Sequence, residues 1–303
     1  MKSVWRPLLG AGILAGFIAF VQVYFGWPRL LAPWLHLPVA EVAVAALLIL
    51  ISYWLRAVRF YDYFRTAMAG RFALCIRLML QHNLLNNLLP MRTGELSFPV
   101  LMTRYFSVPA LHSMPALLWF RVLDLHTLGI FALLAIHSAA WPWPLTAAAL
   151  ALWLPLPWLS FHFSARWRRA LQRHHHKRAY LLMSRLLQGL PQAPAAFWRA
   201  WGWTALNWVV KLGAFVWVLR LFIPVSLPAA WMGAIAGDLT SVLPVHGVAG
   251  AGTYEAGVVA GLLPYGVAAQ PALAAAVNLH LFLLGTTLAG GAISLFIGGR
   301  RRG

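Results

Sequence analysis

The chain has 303 residues, of which 61% are apolar and only 10% charged, with a mean hydropathy of +0.73. Soluble domains carry about 25% charged residues, so this composition excludes a soluble globular protein, a disordered tail and, with Cys75 the single cysteine, a disulfide scaffold. It gives an all-α polytopic membrane protein. The 24 Lys and Arg against 6 Asp and Glu make a net charge of +18. These basic residues stand in short blocks between apolar spans, as the positive-inside rule requires. No module that interleaves aromatic and basic residues is present, so nucleic acid is not an expected partner.

In chain order, a basic leader (Met1–Arg6) precedes an apolar run, Leu8–Phe25. It is longer than a signal peptide's core and lacks a small-residue cleavage site, so it reads as an uncleaved first helix. Further spans are expected near Val39–Leu55, Met114–His137, Leu145–Phe163, Trp201–Phe222 and Pro271–Ile297. Span two leads into Arg56, Arg59, Arg65, Arg71 and Arg77, read as a cytoplasmic basic stretch. Arg166–Arg185 holds seven basic residues and no acid, and the chain closes on Arg300, Arg301 and Arg302. With six spans and both termini cytoplasmic, every dense basic block lies on the cytoplasmic face of the cell membrane, where it meets anionic lipid. The other face receives the Trp- and Pro-rich loops Gly26–Pro38, Ser138–Pro144 and Ile223–Pro228.

Two segments do not read as simple spans. Phe72–Phe106 carries Gln81, His82, Asn83, Asn86 and Asn87 before Pro90-Met91-Arg92-Thr93-Gly94-Glu95. Trp231–Tyr265 carries Asp238, Pro244-Val245-His246, Gly247, Gly250, Gly252 and Thr253-Tyr254-Glu255. Each has two short apolar arms around a Gly- and Pro-broken polar tip, the pattern of a re-entrant hairpin. Span, span, hairpin, span then occurs twice with opposite orientation. The single domain 1–303 is therefore an inverted repeat of about 1–140 and 141–303. The alternative is eight ordinary spans without symmetry.

Four of the six acids, Glu95, Asp124, Asp238 and Glu255, fall in or beside these segments, and a charge at a helix centre costs about 2.5–3.5 kcal/mol. Thr93 and Thr253 are expected N-caps of the returning arms, placing Glu95 and Glu255 in the first turn, where the helix dipole favours an anion. Half-helix ends of this kind can hold a phosphate or an amine; the alternative is that the carboxylates only satisfy exposed amides. Gly94, Gly247, Gly250 and Gly252 would let the backbone approach a ligand. Arg121 and Asp124 share a helix face, either as a site or as an interfacial ion pair. Lys211 stands in mid-span facing a cavity, with Asn207 one turn earlier. His280 and Asn278 occupy the repeat position of Arg121 and Asp124, where His280 reads as a packing donor. His174-His175-His176 has no carboxylate or cysteine nearby and reads as a solvated basic loop, with no metal or cofactor expected. No zinc-protease, nucleophile-elbow or phosphate-loop motif is present. An enzyme is not expected.

The run Asn83…Asn86-Asn87-Leu88-Leu89-Pro90-Met91-Arg92-Thr93-Gly94-Glu95, with Arg104 after it, resembles the transmembrane region of lysylphosphatidylglycerol synthases. That flippase-like family includes stand-alone membrane proteins. Arg121-Val122-Leu123-Asp124 is similar to its Arg-x-x-Asp, and Leu243-Pro244…Gly250-Ala251-Gly252-Thr253-Tyr254-Glu255 to its late Gly-x-Gly-x-x-Glu. Two positions depart: Phe120 stands where many members have Glu, and His246-Gly247-Val248-Ala249-Gly250 replaces a Pro-Gly-Gly segment. The resemblance implies a lipid translocase for a phospholipid, hopanoid or polyprenyl-linked lipid, and a homodimer. Asn87, Arg92, Glu95, Arg104, Arg121, Asp124, Lys211, Asp238, His246 and Glu255 are its expected substrate-binding residues. Without the soluble aminoacyl-transfer domain of the synthases, lysyl transfer is not expected. The alternatives are a non-transporting partner of a lipid-synthesis enzyme and a lipid-modifying enzyme.

Overall fold

The computed structural model describes residues 5–139, 141–172, 187, 189–191, 193–240 and 248–298, with backbone only at a few of these positions. Among them every regular element is helical. Helix α1 (Trp5–Tyr24) ends at Gly26, whose φ of 75° suits a residue without a Cβ. The chain then turns by 87° into α2 (Trp27–Leu31) and a 3₁₀ segment, Ala32–His36. Gly26–Pro38, read from the sequence as a loop, is thus a folded shelf. Asn278 holds it, accepting from Trp34 Nε1 at 2.7 Å and donating to the Leu30 carbonyl at 3.2 Å.

Helix α3 (Val39–Tyr63) runs two turns beyond the expected end of span two. Among its buried positions, Ala45, Ile49, Ser52, Tyr53, Arg56, Arg59 and Phe60 recur every three to four residues, with Leu55 and Ala57 buried beside them. This is one continuous helix face. Arg56 and Arg59 therefore lie inside the bundle and not in a cytoplasmic loop, which corrects that reading of the sequence.

A one-turn helix α4 (Arg65–Met68) leads to α5 (Phe72–Leu88), a 3₁₀ tip (Pro90–Leu96) and α6 (Ser97–Phe106). Then follow α7 (Ala110–Ala139), α8 (Trp143–Trp153) and α9 (Leu156–Gln172), α10 (Pro194–Phe222), α11 (Leu227–Thr240), a 3₁₀ turn at Val248–Gly250, α12 (Thr253–Leu262) and α13 (Ala269–Phe296). Five helical stretches among the described residues are long and apolar enough to cross a membrane: Val39–Tyr63, Ala110–His137, Trp143–Ser164, Pro194–Phe222 and Ala269–Phe296. The bent α1–α2 pair makes a sixth if it counts as one span.

The short helices fall where the sequence breaks into two arms and a tip. Helices α11 and α12 lie in close contact along their length. Gly233, Gly237, Gly257 and Gly261 face that contact, and a Cβ on Gly261 would come 2.6 Å from the Met232 carbonyl oxygen. Small residues four apart let membrane helices touch through their backbones. In the first pair, a Cβ on Gly94 would collide with the Leu85 carbonyl and the Asn86 backbone. Gly94 is thus needed to fold the tip back onto α5. The two tips touch one another, and α1 runs beside both. Helices α3 and α10 pack along each other, α5 lies on α13, and α11 lies on α7.

Candidate functional site

Buried charge in this bundle is organised as chains of pairs around one cavity. Asp124, on α7, accepts at Oδ1 from Arg59 Nη1 at 2.7 Å and from Trp208 Nε1 at 3.0 Å. Its Oδ2 accepts from Arg121 Nη1 at 3.3 Å. Arg121 also meets Glu95 of the first tip at 2.7 Å. One line of charge, Glu95–Arg121–Asp124–Arg59, thus ties the first tip to α7 and α3. Across the cavity Lys211 Nζ pairs with Asp238 at 2.9 Å, joining α10 to α11. Its ammonium also lies 4.7 Å from the centre of the Trp208 ring, where a cation meets the negative ring face.

At the second tip, Glu255 is buried and bonds His280 Nδ1 through Oε1 at 2.6 Å. Its Oε2 accepts the Gly252 amide at 2.8 Å. Gly252 is the N-cap of α12, with a φ of 83°, so Thr253 is the first helical residue and Glu255 the third. Thr253 is not the cap; its hydroxyl donates to the Gly250 carbonyl at 3.0 Å. Thr93 lies inside the 3₁₀ tip, and the residue before α6 is Leu96. Neither expected threonine cap forms. The carboxylate of Glu255 does the capping from inside the first turn.

These groups surround a cavity of about 550 Å³. Arg56, Asn83, Lys211, Asp238 and Tyr254 are among the groups that form its polar end. Arg56 is 8% exposed and donates to the neutral Asn83 Oδ1 at 3.0 Å. Among the described residues it pairs with no carboxylate. Its Nε, the Trp119 Nε1 and the Tyr254 hydroxyl, all buried on the cavity wall, find no hydrogen-bond partner among the described residues. A buried donor without a partner costs about 1–3 kcal/mol, and more when charged. Of the cations in the described lining, Arg121 and Lys211 pair with carboxylates and Arg56 does not.

One wall is different. Leu118, Val122 and Leu125 line the cavity along one stripe of α7 yet are 42–50% exposed, and Trp167 of α9, also in the lining, is 48% exposed. Among the described residues this part of the cavity wall, from α7 and α9, is therefore apolar and partly exposed.

Of the residues singled out in the sequence, Asn87, Arg121, Asp124, Lys211, Asp238 and Gly250 reach this cavity, with Glu95 and Glu255 one contact behind its wall. Asn87 donates to Thr287 Oγ1 at 2.9 Å. Arg104 does not reach it: it is exposed at the end of α6, against the Tyr105 ring. The Arg92 side chain, His246 and Gly247 lie outside the described residues, as do His174, His175 and His176. Glu41 and Asp62, the other two acids, are not part of the described cavity lining and accept from Trp217 Nε1 and Arg199 Nε. Sequence reading passed over Arg56, Arg59 and Trp208, and weighed His280 only as a packing donor. The three-to-four spacing Ile49, Ser52 or Tyr53, Arg56, Arg59 or Phe60 is the signal that could have found the two arginines.

No curated protein and no solved structure matches the chain. The sequence profile of the lysylphosphatidylglycerol synthase TM region matches residues 8–291. Helices of membrane-crossing length and this match describe a multi-pass membrane protein of lipid biology, and the chain belongs to the family of the lysylphosphatidylglycerol synthase transmembrane region.

Proposed function

We propose that this protein translocates a lipid between the leaflets of the cell membrane. The lipid's charged head enters the cavity while its acyl chains stay in the bilayer. The observation that carries this reading is the cavity's two-sided character: a buried polar end with a guanidinium, Arg56, that has no carboxylate partner among the described residues, and an apolar, partly exposed wall of Leu118, Val122 and Leu125. A water-soluble substrate has no use for an apolar exposed wall, and an acyl chain has no use for Arg56. Guanidinium, ammonium and indole donors suit a phosphate oxygen, so the head group carries a phosphate. Movement across the membrane follows if the two halves, about 1–140 and 141–303, are inverted copies that rock about the site. The touching hairpin tips support that arrangement. The topology is both termini cytoplasmic.

The test is reconstitution into vesicles of phosphatidylethanolamine and phosphatidylglycerol holding a nitrobenzoxadiazole-labelled phosphatidylglycerol. Dithionite added outside should bleach inner-leaflet probe faster than in protein-free vesicles, and Val122→Trp, which adds bulk to the apolar wall, should slow it. Bleaching no faster than in empty vesicles would remove the translocase reading and favour a non-transporting partner of a lipid-synthesis enzyme.

A further inference from the structure

His280 sits between two oxygen atoms, and its ring cannot satisfy both without an extra proton. Nε2 lies 2.9 Å from the Ala249 carbonyl, which only accepts, so Nε2 carries a hydrogen. Nδ1 lies 2.6 Å from Glu255 Oε1. If the carboxylate is ionised and Nδ1 is bare, two lone pairs face each other at that distance. A proton must lie between them, on the ring or on the carboxyl. Both backbone groups that the dyad engages belong to the second tip: the Ala249 carbonyl of its 3₁₀ turn, which accepts from Nε2, and the Gly252 amide, which donates to Glu255 Oε2. Three positions there, Ala249, Gly250 and Gly252, have positive φ, at 58°, 79° and 83°. Ala249 is costly there because it has a Cβ. The tip is thus a strained turn held to α13 by the dyad.

Among the described residues, the surroundings leave that proton without competition. Tyr254 of α12 stacks on the ring with centroids 4.6 Å apart. Helix α1 offers Phe17 to Gly252. The charged groups sharing the cavity wall are Arg56 of α3, Arg121 and Asp124 of α7, Lys211 of α10 and Asp238 of α11; α5 contributes neutral Asn83, Asn86 and Asn87. Asp124, Arg121, Lys211 and Asp238 are already paired. Among the described residues no lysine or arginine reaches Glu255. The first tip differs: its carboxylate, Glu95, bonds Arg121, whose charge is permanent.

We propose that Glu255 and His280 form a proton-binding site whose occupancy latches the second hairpin tip to α13. The proton moves without any other bond changing. It sits between Oε1 and Nδ1 when the tip is closed. It leaves to water through the cavity, which Gly250 and His280 both line. The carboxylate and the bare Nδ1 then repel and the tip opens. Resting on the translocase reading above, lipid movement is thereby coupled to a proton gradient.

Two measurements on the full chain in vesicles of phosphatidylethanolamine and phosphatidylglycerol test this separately. In the first, amide hydrogen exchange over residues 248–256 is corrected for its intrinsic rate. From about pH 5 to about pH 8, protection should fall by roughly tenfold or more. In Glu255→Gln, whose amide N–H can replace the shared proton toward Nδ1, and in His280→Gln, which has no ring to share it, protection should not change with pH. Wild-type protection that does not change with pH overturns the latch. So does either variant keeping the wild-type pH response, and two variants guard against one failing to fold. In the second, an imposed pH gradient should bias the direction of labelled phosphatidylglycerol movement in the wild type and not in His280→Gln. A pH-sensitive tip with no gradient bias overturns the coupling alone. A pH-sensitive tip with no probe movement overturns the translocase reading and leaves the proton site standing.

Discussion

Asp124 and Arg56 occupy the same cavity with opposite balance, and their substitutions should behave in opposite ways. Asp124 serves Arg59, Arg121 and Trp208 at once. Asp124→Asn leaves the buried Arg59 guanidinium without a counter-charge among the described residues, while Arg121 keeps Glu95, and such a loss costs about 3–5 kcal/mol. The expected outcome is poor recovery of folded protein and a much lower thermal midpoint, read by fluorescence-detected size exclusion after heating. Arg56 has no carboxylate partner to lose among the described residues. Arg56→Gln removes a buried charge that costs several kcal/mol to desolvate and leaves Asn83 facing the cavity. Its thermal midpoint should equal or exceed the wild type's, while movement of labelled phosphatidylglycerol falls by about tenfold or more, since a charge-assisted hydrogen bond to phosphate contributes about twice a neutral one. A destabilised Arg56→Gln would mean that the guanidinium is structural.

Among elements, the first hairpin depends on one glycine more than on its apolar content. Gly94 brings the Pro90–Leu96 segment against the backbone of α5, where no side chain can yield. Gly94→Ala should displace the tip and with it Glu95 from Arg121, at about 1–3 kcal/mol of overpacking. Reduced thermal stability and loss of lipid movement would register it. Gly202, in α10, has open space around its Cβ direction. Gly202→Ala should leave stability equal or raise it by about 0.4–1 kcal/mol, which makes it the matched control. The Asn-to-Glu run announced this hairpin in the sequence by interrupting apolar sequence with groups that need partners. The requirement at Gly94 was not visible there, because it arises from a backbone eight residues back that only the fold places against it.

For the whole molecule, the apolar wall of the cavity and the basic blocks make independent demands on orientation. The dense basic segment Arg166–Arg185 should be cytoplasmic under the positive-inside rule. In a Cys75→Ser background, His175→Cys should resist a membrane-impermeant maleimide added outside intact cells and react after permeabilisation. Labelling from outside would invert the topology and, on the proposed translocase reading, the leaflet from which lipid enters the cavity.

Hydropathy and charge alone determined that this is an all-helical membrane protein and where most of its long helices run, and they set apart the acids that lie in or beside apolar runs. The reason is that lipid makes an unpaired charge so costly that each one left in an apolar run is conspicuous in one dimension. Lys211 and Asp238 stood out for that reason alone. Which charges pair was decided only by packing. Arg59 and Asp124 are 65 residues apart, and Asp124 and Trp208 are 84 apart, so no local spacing encodes those bonds. Arg56 and Arg59 were hidden because, at the end of an apolar run, an arginine in a cytoplasmic loop and one turned into the core have the same sequence. The distinction depends on which face of α3 meets α10. Likewise His280 became half of a proton-holding dyad only when α12 came to rest against α13 and brought Glu255 within 2.6 Å of its ring.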